Sequence, residues 1–438
     1  LEASRIGRLK ADAIVIDLSQ AATLSNEQRA ALASAERDDI VFDANNPLLI
    51  RVIQRDDVNV KAGGTLTATA QTDLFLGGEQ DFNVHALNGR SISLKTDGSI
   101  VSSNGDKVVI RGHDVTLEAA GGSIGNAQAL NMEVTGDLTA RARLLNLVQH
   151  GDLAVERLTG VDSLSLQVLG NLRAASQLGE NLLGGQINLK VSGLTGASGQ
   201  RLQLGTGLVS QQINLDLGAD AWLGGLQGAS SQPGVLHLGT VAVNGTLDLG
   251  QVSEVQQRGA WQLGGLVADV SGDWLASAGS SMDADKGVLL NSGGEVRLGN
   301  VSVANGDLDI QAARLSAGAP STRWHASGLL RLSSLGDIGS QLQPLELSAR
   351  QLQVNSVTGG LFLSLAAGIQ SGTLDSAGHQ WLRSLGNLRL DRVSSGGDIQ
   401  LQGSGLLELT ALNAERDLDL SGEALTVGTL HSRNGNLT

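Results

Sequence analysis

The stretch Gly234–Leu249, GVLHLGTVAVNGTLDL, contains the pattern that governs the folding of this chain. Leucine and valine alternate with polar or small residues in short runs, and glycine or an Asn-Gly pair separates the runs. Alternation with a period of two places the aliphatic side chains on one face of a strand. Glycine tolerates the positive φ that a sharp turn requires. The stretch therefore predicts short, half-buried strands joined by tight turns.

The pattern recurs along the chain. Two further copies are Gly294–Ile310, GEVRLGNVSVANGDLDI, and Gly386–Leu401, GNLRLDRVSSGGDIQL. Glycines at matching places recur 61 residues apart, namely Gly245 with Gly306 and Gly336 with Gly397. A period near 60 suits three coils of about 20 residues each, which is the signature of a β-solenoid.

A second motif joins distant parts of the chain. Gly122-Ser-Ile-Gly125 is followed by Leu130, and Gly336-Asp-Ile-Gly339 is followed by Leu345. An alternating strand pattern comes next in both places. These two segments are predicted to be related coils of one stack.

The repeats predict an all-β fold, a right-handed parallel β-helix in which residues 1–438 form a single rod segment of a longer protein. Five Asn-Gly pairs, which favour hairpins, keep a β-sandwich open as an alternative. A β-propeller would need larger repeats with aromatic signatures, and aromatic residues make up 2% of the chain. The core is expected to consist of stacked Leu, Val, Ile and Ala side chains.

One segment departs from the strand pattern. Ser25 and Gln28 are spaced as a capping box, and an alanine-rich run follows them. A short helical insertion is therefore expected over residues 25–37, between strands at 11–18 and 40–43. It is expected to pack on the side of the rod or to cover an exposed edge, and contact with a partner protein is the alternative.

Composition excludes several classes of function. The net charge of −14 leaves no basic surface for nucleic acid. The chain has no Cys, which excludes disulfides and thiolate chemistry. The seven His are scattered singly, without zinc-ligand spacing, and no Gly-x-Ser-x-Gly elbow stands between a strand and a helix. We expect no catalytic residues, no bound metal and no cofactor, so the chain is not expected to be an enzyme.

Two features invite a ligand-binding interpretation. Gly-Asp pairs recur singly at turn starts, without the Gly-Gly-x-Gly-x-Asp series of calcium-binding β-rolls. Trp222 and Trp261 both lead into Leu-Gly-Gly-Leu, and Trp324 and Trp381 both precede a Gly-x-Leu-Arg-Leu run. Tryptophans repeated in this way are expected to pack at coil corners and not to stack on sugars. The ligand-binding residues stay unassigned.

The Gly-Asp-Leu and Gly-Asp-Ile strand starts carry a family resemblance. Gly151–Val155, GDLAV, and Gly397–Leu401, GDIQL, resemble filamentous haemagglutinin-type exoproteins. Ala62–Ala70, AGGTLTATA, resembles the large filamentous adhesins of that superfamily, including biofilm matrix adhesins. The similarity covers nearly the whole chain, but it lies in repeat texture, so no functional residue is carried over.

The resemblance implies a function. It implies secretion by a two-partner route through an outer-membrane transporter and display on the surface of a Gram-negative cell. It further implies adhesion in biofilm formation and virulence, through exopolysaccharide or another cell-surface receptor. Two alternatives stay open, a β-helix polysaccharide lyase or hydrolase and the stalk of a contact-dependent toxin.

Overall fold

Parallel strands stacked coil upon coil make up this chain. The computed structural model describes residues 1–9, 14–26, 28–29, 32, 40–42, 46, 48–52, 55–61, 63–177, 179–206, 211–227, 232–366 and 368–438. The fold is a right-handed parallel β-solenoid of about 18 turns with almost no helix, as the sequence predicts. Two compact units divide the chain, Leu1–Ala154 with Leu158–Val161, and Val155–Arg157 with Asp162–Thr438.

The first unit contains short strands separated by turns. They are β1 (Glu2–Ala3), β2 (Arg8–Leu9), β3 (Ile14–Asp17), β4 (Ile40–Phe42), β5 (Leu49–Val52), β6 (Arg55–Asp56), β7 (Val58–Asn59), β8 (Thr65–Ala70), β9 (Asp73–Gly78), β10 (Phe82–Asn88), β11 (Ser91–Thr96), β12 (Ile100–Ser102), β13 (Ile110–Gly112), β14 (Asp114–Ile124), β15 (Leu130–Val134) and β16 (Asp137–Gln149). A 3-10 helix spans Leu18–Thr23. The strand β17 (Leu153–Val168) contributes residues to both units.

The second unit continues the same alternation of strand and turn. Its strands are β18 (Leu172–Ala174), β19 (Leu182–Val191), β20 (Leu202–Thr206), β21 (Gln212–Leu217), β22 (Ala221–Gln227), β23 (Gln232–Gln257), β24 (Ala260–Val270), β25 (Trp274–Ala276), β26 (Ser281–Ala284), β27 (Val288–Ser292), β28 (Glu295–Leu298), β29 (Asn300–Val303), β30 (Leu308–Ala312), β31 (Arg314–Ala317), β32 (Arg323–Ser334), β33 (Leu345–Ser356), β34 (Leu361–Leu365), β35 (Ser371–Ser376), β36 (Gln380–Ser384), β37 (Leu388–Ser395), β38 (Ile399–Gly403), β39 (Leu406–Ala414), β40 (Leu418–Ser421) and β41 (Ala424–Ser432).

Aliphatic columns run through the interior of the second unit. Leu247 pairs with Leu266, Leu266 with Val288, and Val288 with Leu308, so Leu308 lies three coils after Leu247. This register confirms that the 61-residue spacing represents three coils. The neighbouring column is formed by Leu249, Ala268, Leu290, Ile310, Leu332, Val354, Leu374, Val393 and Leu412. Each large aliphatic side chain contributes about 1.5–3 kcal/mol by burial.

The third sequence copy, Gly386–Leu401, does not align with the same inward columns as the other two copies. Leu308 belongs to the column of Val288 and Leu330, whereas Ile399 pairs with Gln380 and Leu418. Gly386–Leu401 therefore resembles the other two copies in sequence but occupies a different part of the coil. All faces of the coil consist of alternating strands followed by glycine-containing turns. Sequence similarity between two segments therefore does not show which face of the coil each one forms.

The Gly-Asp pairs have a structural role at coil corners. The Oδ1 atom of Asp307 accepts the backbone N–H of Leu329, one coil further on, at 2.7 Å. Equivalent bonds join Asp273 to Glu295 N, Asp337 to Gly360 N and Asp398 to Asp417 N. Each carboxylate thus satisfies a backbone amide in the next coil. The recurrence of Gly-Asp at these turns follows from inter-coil bonding.

The N-terminal segment folds differently from the coils. Strands β3, β5 and β4 form an antiparallel sheet whose buried residues are Ile16, Ile50 and Val52. The predicted strands at 11–18 and 40–43 therefore exist, as Ile14–Asp17 and Ile40–Phe42, but the sequence did not predict their antiparallel pairing.

The capping box of the insertion is confirmed. Ser25 N donates to Gln28 Oε1 at 3.0 Å, and Gln28 N donates to Ser25 Oγ at 3.1 Å. Asn26, Gln28, Arg29 and Leu32 are helical, and the rest of the predicted 25–37 helix lies outside the described residues. Leu32 packs against the small antiparallel sheet. Leu32 therefore contacts the insertion's own core, and the expectation that the helix packs on the side of the rod or covers an exposed edge concerns mainly residues outside the described ones.

Candidate functional site: outward loops and the residues beneath them

In several coils a loop projects outward between two strand residues. These two residues pair with positions of the neighbouring coil that are separated by one residue, so a single residue of that coil lies beneath the loop. Ile338 pairs with Leu361 and Leu345 pairs with Leu363, so residues 339–344 leave the strand line opposite Phe362. We call such excursions outward loops. In the described part of the chain they are residues 7–57, 125–129, 196–201 and 339–344, and the residues beneath them are Phe75, Asn146, Trp222 and Phe362, respectively.

A glycine with positive φ begins each outward loop. Gly196 has φ 70° and Gly339 has φ 73°, and a Cβ at either position would clash with the carbonyl oxygen of the residue beneath. Glycine is therefore required by both backbone conformation and space. Gly122–Gly125 and Gly336–Gly339 each end in such a glycine. A further copy of the motif lies at Gly193–Gly196, where threonine replaces the isoleucine and so hides the copy in the sequence.

The three aromatic residues beneath outward loops differ in accessibility. Phe75 lies beneath the long insertion and is 3% exposed. Trp222 is half-buried, and its neighbour across the strand pair is Asp248. The last residue of that loop, Arg201, folds back onto Asp248, with Nη2 2.7 Å from Oδ1 and Nη1 2.9 Å from the backbone oxygen. The chain itself thus occupies the surface beside Trp222.

The flank around Phe362 is open. Ser340 and Gln343 close their loop with two backbone hydrogen bonds of 3.1 Å, which leaves Leu342 95% exposed at the loop tip. Trp381 pairs with Phe362 in the next coil, and both side chains are half-buried on the outer face of their strands. Two of the nine aromatic residues of the chain thus stand side by side on the surface.

Polar side chains extend this surface. Gln400 follows Trp381 in the same outward column, and Asp419 follows Gln400. The adjacent outward column contains Ser364, Arg383 and Gln402. We call the whole surface the aromatic flank; its members are Phe362, Ser364, Trp381, Arg383, Gln400, Gln402, Asp419 and the loop-tip residue Leu342.

The two tryptophans that share each flanking motif lie on opposite faces of their strands. Trp261 and Trp324 share one inward column, through Met282 and Val301, and both are 0% exposed. Their indole N–H groups donate to the carbonyls of Gly239 and Gly299 at 3.1 Å. Trp222 and Trp381 point outward instead. The Leu-Gly-Gly-Leu run begins one residue after Trp222 and two residues after Trp261, and the Gly-x-Leu-Arg-Leu run begins four residues after Trp324 and five after Trp381. This shift of one residue reverses the face of the strand that each tryptophan occupies.

Ion pairs between neighbouring coils occupy much of the remaining outer surface. In the first unit, Lys95 pairs with Glu118 at 3.8 Å. In the second, Asp309 pairs with Arg331 and Asp375 with Arg392, both at 2.7 Å. These side chains are partly exposed, so each pair contributes little to stability. Lys95 with Glu118 and Asp309 with Arg331 are opposite charges in register on consecutive coils, which favours one alignment of the strands.

Histidine side chains take structural roles. Arg258 Nη2 donates to His237 Nδ1 at 2.8 Å. Burial lowers the pKa of His237, and the positive charge of Arg258 lowers it further. His379 Nδ1 lies 2.9 Å from Asp398 Oδ2, and Arg416 contacts both side chains. This cluster is exposed at a coil corner, where Asp398 also accepts the next coil's amide.

The described residues contain no group of three or more His, Asp and Glu side chains placed to hold a metal ion. Within the same residues, no helix has the length and apolarity needed to cross a membrane. Comparison with protein-family models, with curated proteins and with solved structures finds no match for this chain.

Proposed function

We propose that this chain is an adhesive scaffold segment of an extracellular protein, exported by a two-partner route and displayed on a Gram-negative cell. Attachment to cells or to biofilm matrix would be its function. The supporting observation is that outward loops lie above single residues of the neighbouring coil, three of them aromatic, while inward residues form the aliphatic columns. Interior and surface therefore have separate roles, as an adhesive scaffold requires.

Repetition supports the scaffold role. Each coil bonds to its neighbours through strand ladders, Asp-to-amide bonds at corners and ion pairs in register. A repeat fold gains stability from such nearest-neighbour contacts and can be extended by further coils. A surface loop can then vary in length without disturbing the columns beneath it, and loops on a rigid scaffold are where binding residues concentrate.

Bead retention tests the proposal. Beads coated with the full chain are expected to be retained on an exopolysaccharide-producing Gram-negative biofilm under flow. Beads coated with the Leu363→Asp variant, whose coils are expected to unfold, serve as the matched control. Retention equal to that of albumin-coated beads would contradict the adhesive function.

A turnover assay distinguishes adhesion from catalysis. Purified protein incubated with polysaccharides from the same biofilm is expected to release no reducing ends and no unsaturated products. Release of product that is abolished by Asp419→Asn or Asp398→Asn would instead assign a lyase or hydrolase.

A further inference from the structure

We propose that the aromatic flank binds an extended neutral polysaccharide, with one pyranose ring stacked on Trp381 and its neighbour on Phe362. This inference rests on the proposed adhesive function and assigns it a ligand class and a place. It is carried by the register, which sets the two outward aromatic residues side by side in consecutive coils.

Ring chemistry favours a sugar over an apolar partner. The faces of Phe and Trp carry negative quadrupole potential, which attracts the C–H faces of pyranose rings. The polar neighbours of the two rings are Ser364, Arg383, Gln400 and Gln402, whose amide, hydroxyl and guanidinium groups can hydrogen-bond to sugar hydroxyls. A mixed surface of this kind matches a ligand with apolar faces and hydroxylated edges.

Spacing favours an extended chain over a single sugar. Consecutive coils lie about 4.8 Å apart, which is close to the advance per residue of an extended pyranose chain. A polysaccharide running across the coils would therefore meet Phe362, Trp381, Gln400 and Asp419 with successive residues. The loop of residues 339–344 ends this row, because it leaves the strand line opposite Phe362.

Charge favours a neutral ligand. The chain carries a net charge of −14, which repels polyanions. On the aromatic flank the exposed Arg383 is accompanied by the carboxylate of Asp419, so the surface has no cationic excess. Acidic glycans are therefore disfavoured.

The other outward aromatic residues do not offer this surface. Phe75, beneath the insertion, is 3% exposed, and Arg201 ties the loop of residues 196–201 down beside Trp222. Trp222 is accordingly a matched control, since it is a half-buried outward tryptophan beneath the same kind of loop.

Titration of the full chain with oligosaccharides tests the inference. The probes are linear β-1,4-linked hexasaccharides of glucose, mannose and galactose, together with a hexauronate as the acidic counterpart, measured by calorimetry and saturation-transfer NMR. At least one neutral probe is expected to bind. Trp381→Ala is expected to weaken binding about tenfold or more, Trp381→Phe about threefold or less, and Trp222→Ala not measurably. Arg383→Ala, which changes an exposed side chain, is expected to weaken binding as well.

Several results would overturn the inference. They are absence of binding by every neutral probe, tighter binding of the hexauronate, unchanged affinity in Trp381→Ala, and equal loss in Trp222→Ala. The bead-retention assay distinguishes failure of the proposed sugar site from failure of the proposed adhesive function. Trp381→Ala beads retained as well as wild type would place adhesion elsewhere, whereas wild-type beads that bind the hexasaccharide but are not retained would remove the adhesive function and leave the sugar site.

Discussion

The insertion of residues 7–57 and the loop of residues 339–344 are both outward loops, yet they differ in structure. Both begin with a glycine of positive φ, and both leave the strand line over one aromatic residue. The longer excursion builds its own antiparallel sheet and core, and Phe75 beneath it is buried. The shorter one is closed by two backbone hydrogen bonds and leaves the surface around Phe362 open.

This difference shows that the coil determines where an outward loop begins. The length and packing of the loop determine whether the residue beneath it is buried or accessible. Six residues cannot bury a core, so the short loop can only border a surface. The insertion is long enough to pack aliphatic residues around Ile16 and Ile50 and still return to the adjacent strand position at Val58. Mutations in each excursion, and in the coils that carry them, test this relation.

The largest effect is expected in the coil beneath the short loop. Leu363 is 0% exposed and pairs with Leu345 and Leu382 in neighbouring coils. Leu363→Asp is expected to destabilise the second unit by more than about 4 kcal/mol, because it removes a buried aliphatic group and buries an unpaired charge. Thermal unfolding followed by circular dichroism measures this. Ser364→Asp, on the outer face of the same strand, is the control; equal destabilisation by both would show that the register is wrong.

A smaller and more local effect is expected in the insertion. Ile16→Asp places a charge in the core formed with Ile50 and Val52. Since that core is separate from the aliphatic columns, the insertion is expected to lose hydrogen-exchange protection while β11 and β14 keep theirs. Loss of protection throughout the first unit would mean that the coils depend on the insertion.

The glycine that begins the short loop should be moderately sensitive. Gly339→Ala is expected to cost about 1–2 kcal/mol, since alanine is disfavoured at positive φ and its Cβ would meet the Phe362 carbonyl. A Cβ at Gly287 would lie 3.5 Å from the backbone oxygen of Asp307, an ordinary contact distance, so Gly287→Ala is the control. Chemical denaturation gives both values, and a neutral Gly339→Ala would remove the requirement for glycine.

The smallest effect concerns pH. The folded-state pKa of His237 is lowered, first by burial and then by Arg258, so below about pH 6.5 the unfolded chain binds a proton that the folded chain does not. Stability present above that pH is therefore lost as the pH falls. His237→Gln, which can still accept from Arg258, is expected to flatten the decrease in Tm between pH 7 and pH 5. An unchanged slope would show that His237 is protonated equally in both states.

Local pattern predicted much of this protein and also produced its errors. The alternation in Gly234–Leu249 correctly predicted strand structure, but the tight turns expected at Gly239 and at Asn244-Gly245 lie within the continuous strand β23. The spacing of Ser25 and Gln28 correctly predicted a capping box. Trp324 and Trp381 both precede a Gly-x-Leu-Arg-Leu run but lie on opposite faces of their strands, because the run begins four residues after Trp324 and five after Trp381. The antiparallel insertion was missed because its pairing joins residues far apart in sequence, which local periodicity does not report.

From its sequence alone the chain is recognisable as a stack of coils with aliphatic residues inside. That information is local, since a period of two and a glycine at each turn act within a few residues. Only the folded structure shows which aromatic residues lie outside, which outward loop covers its residue, and that Trp381 stands beside Phe362. These depend on the register between coils about 20 residues apart, and the register is set by the packing and hydrogen bonding of whole coils.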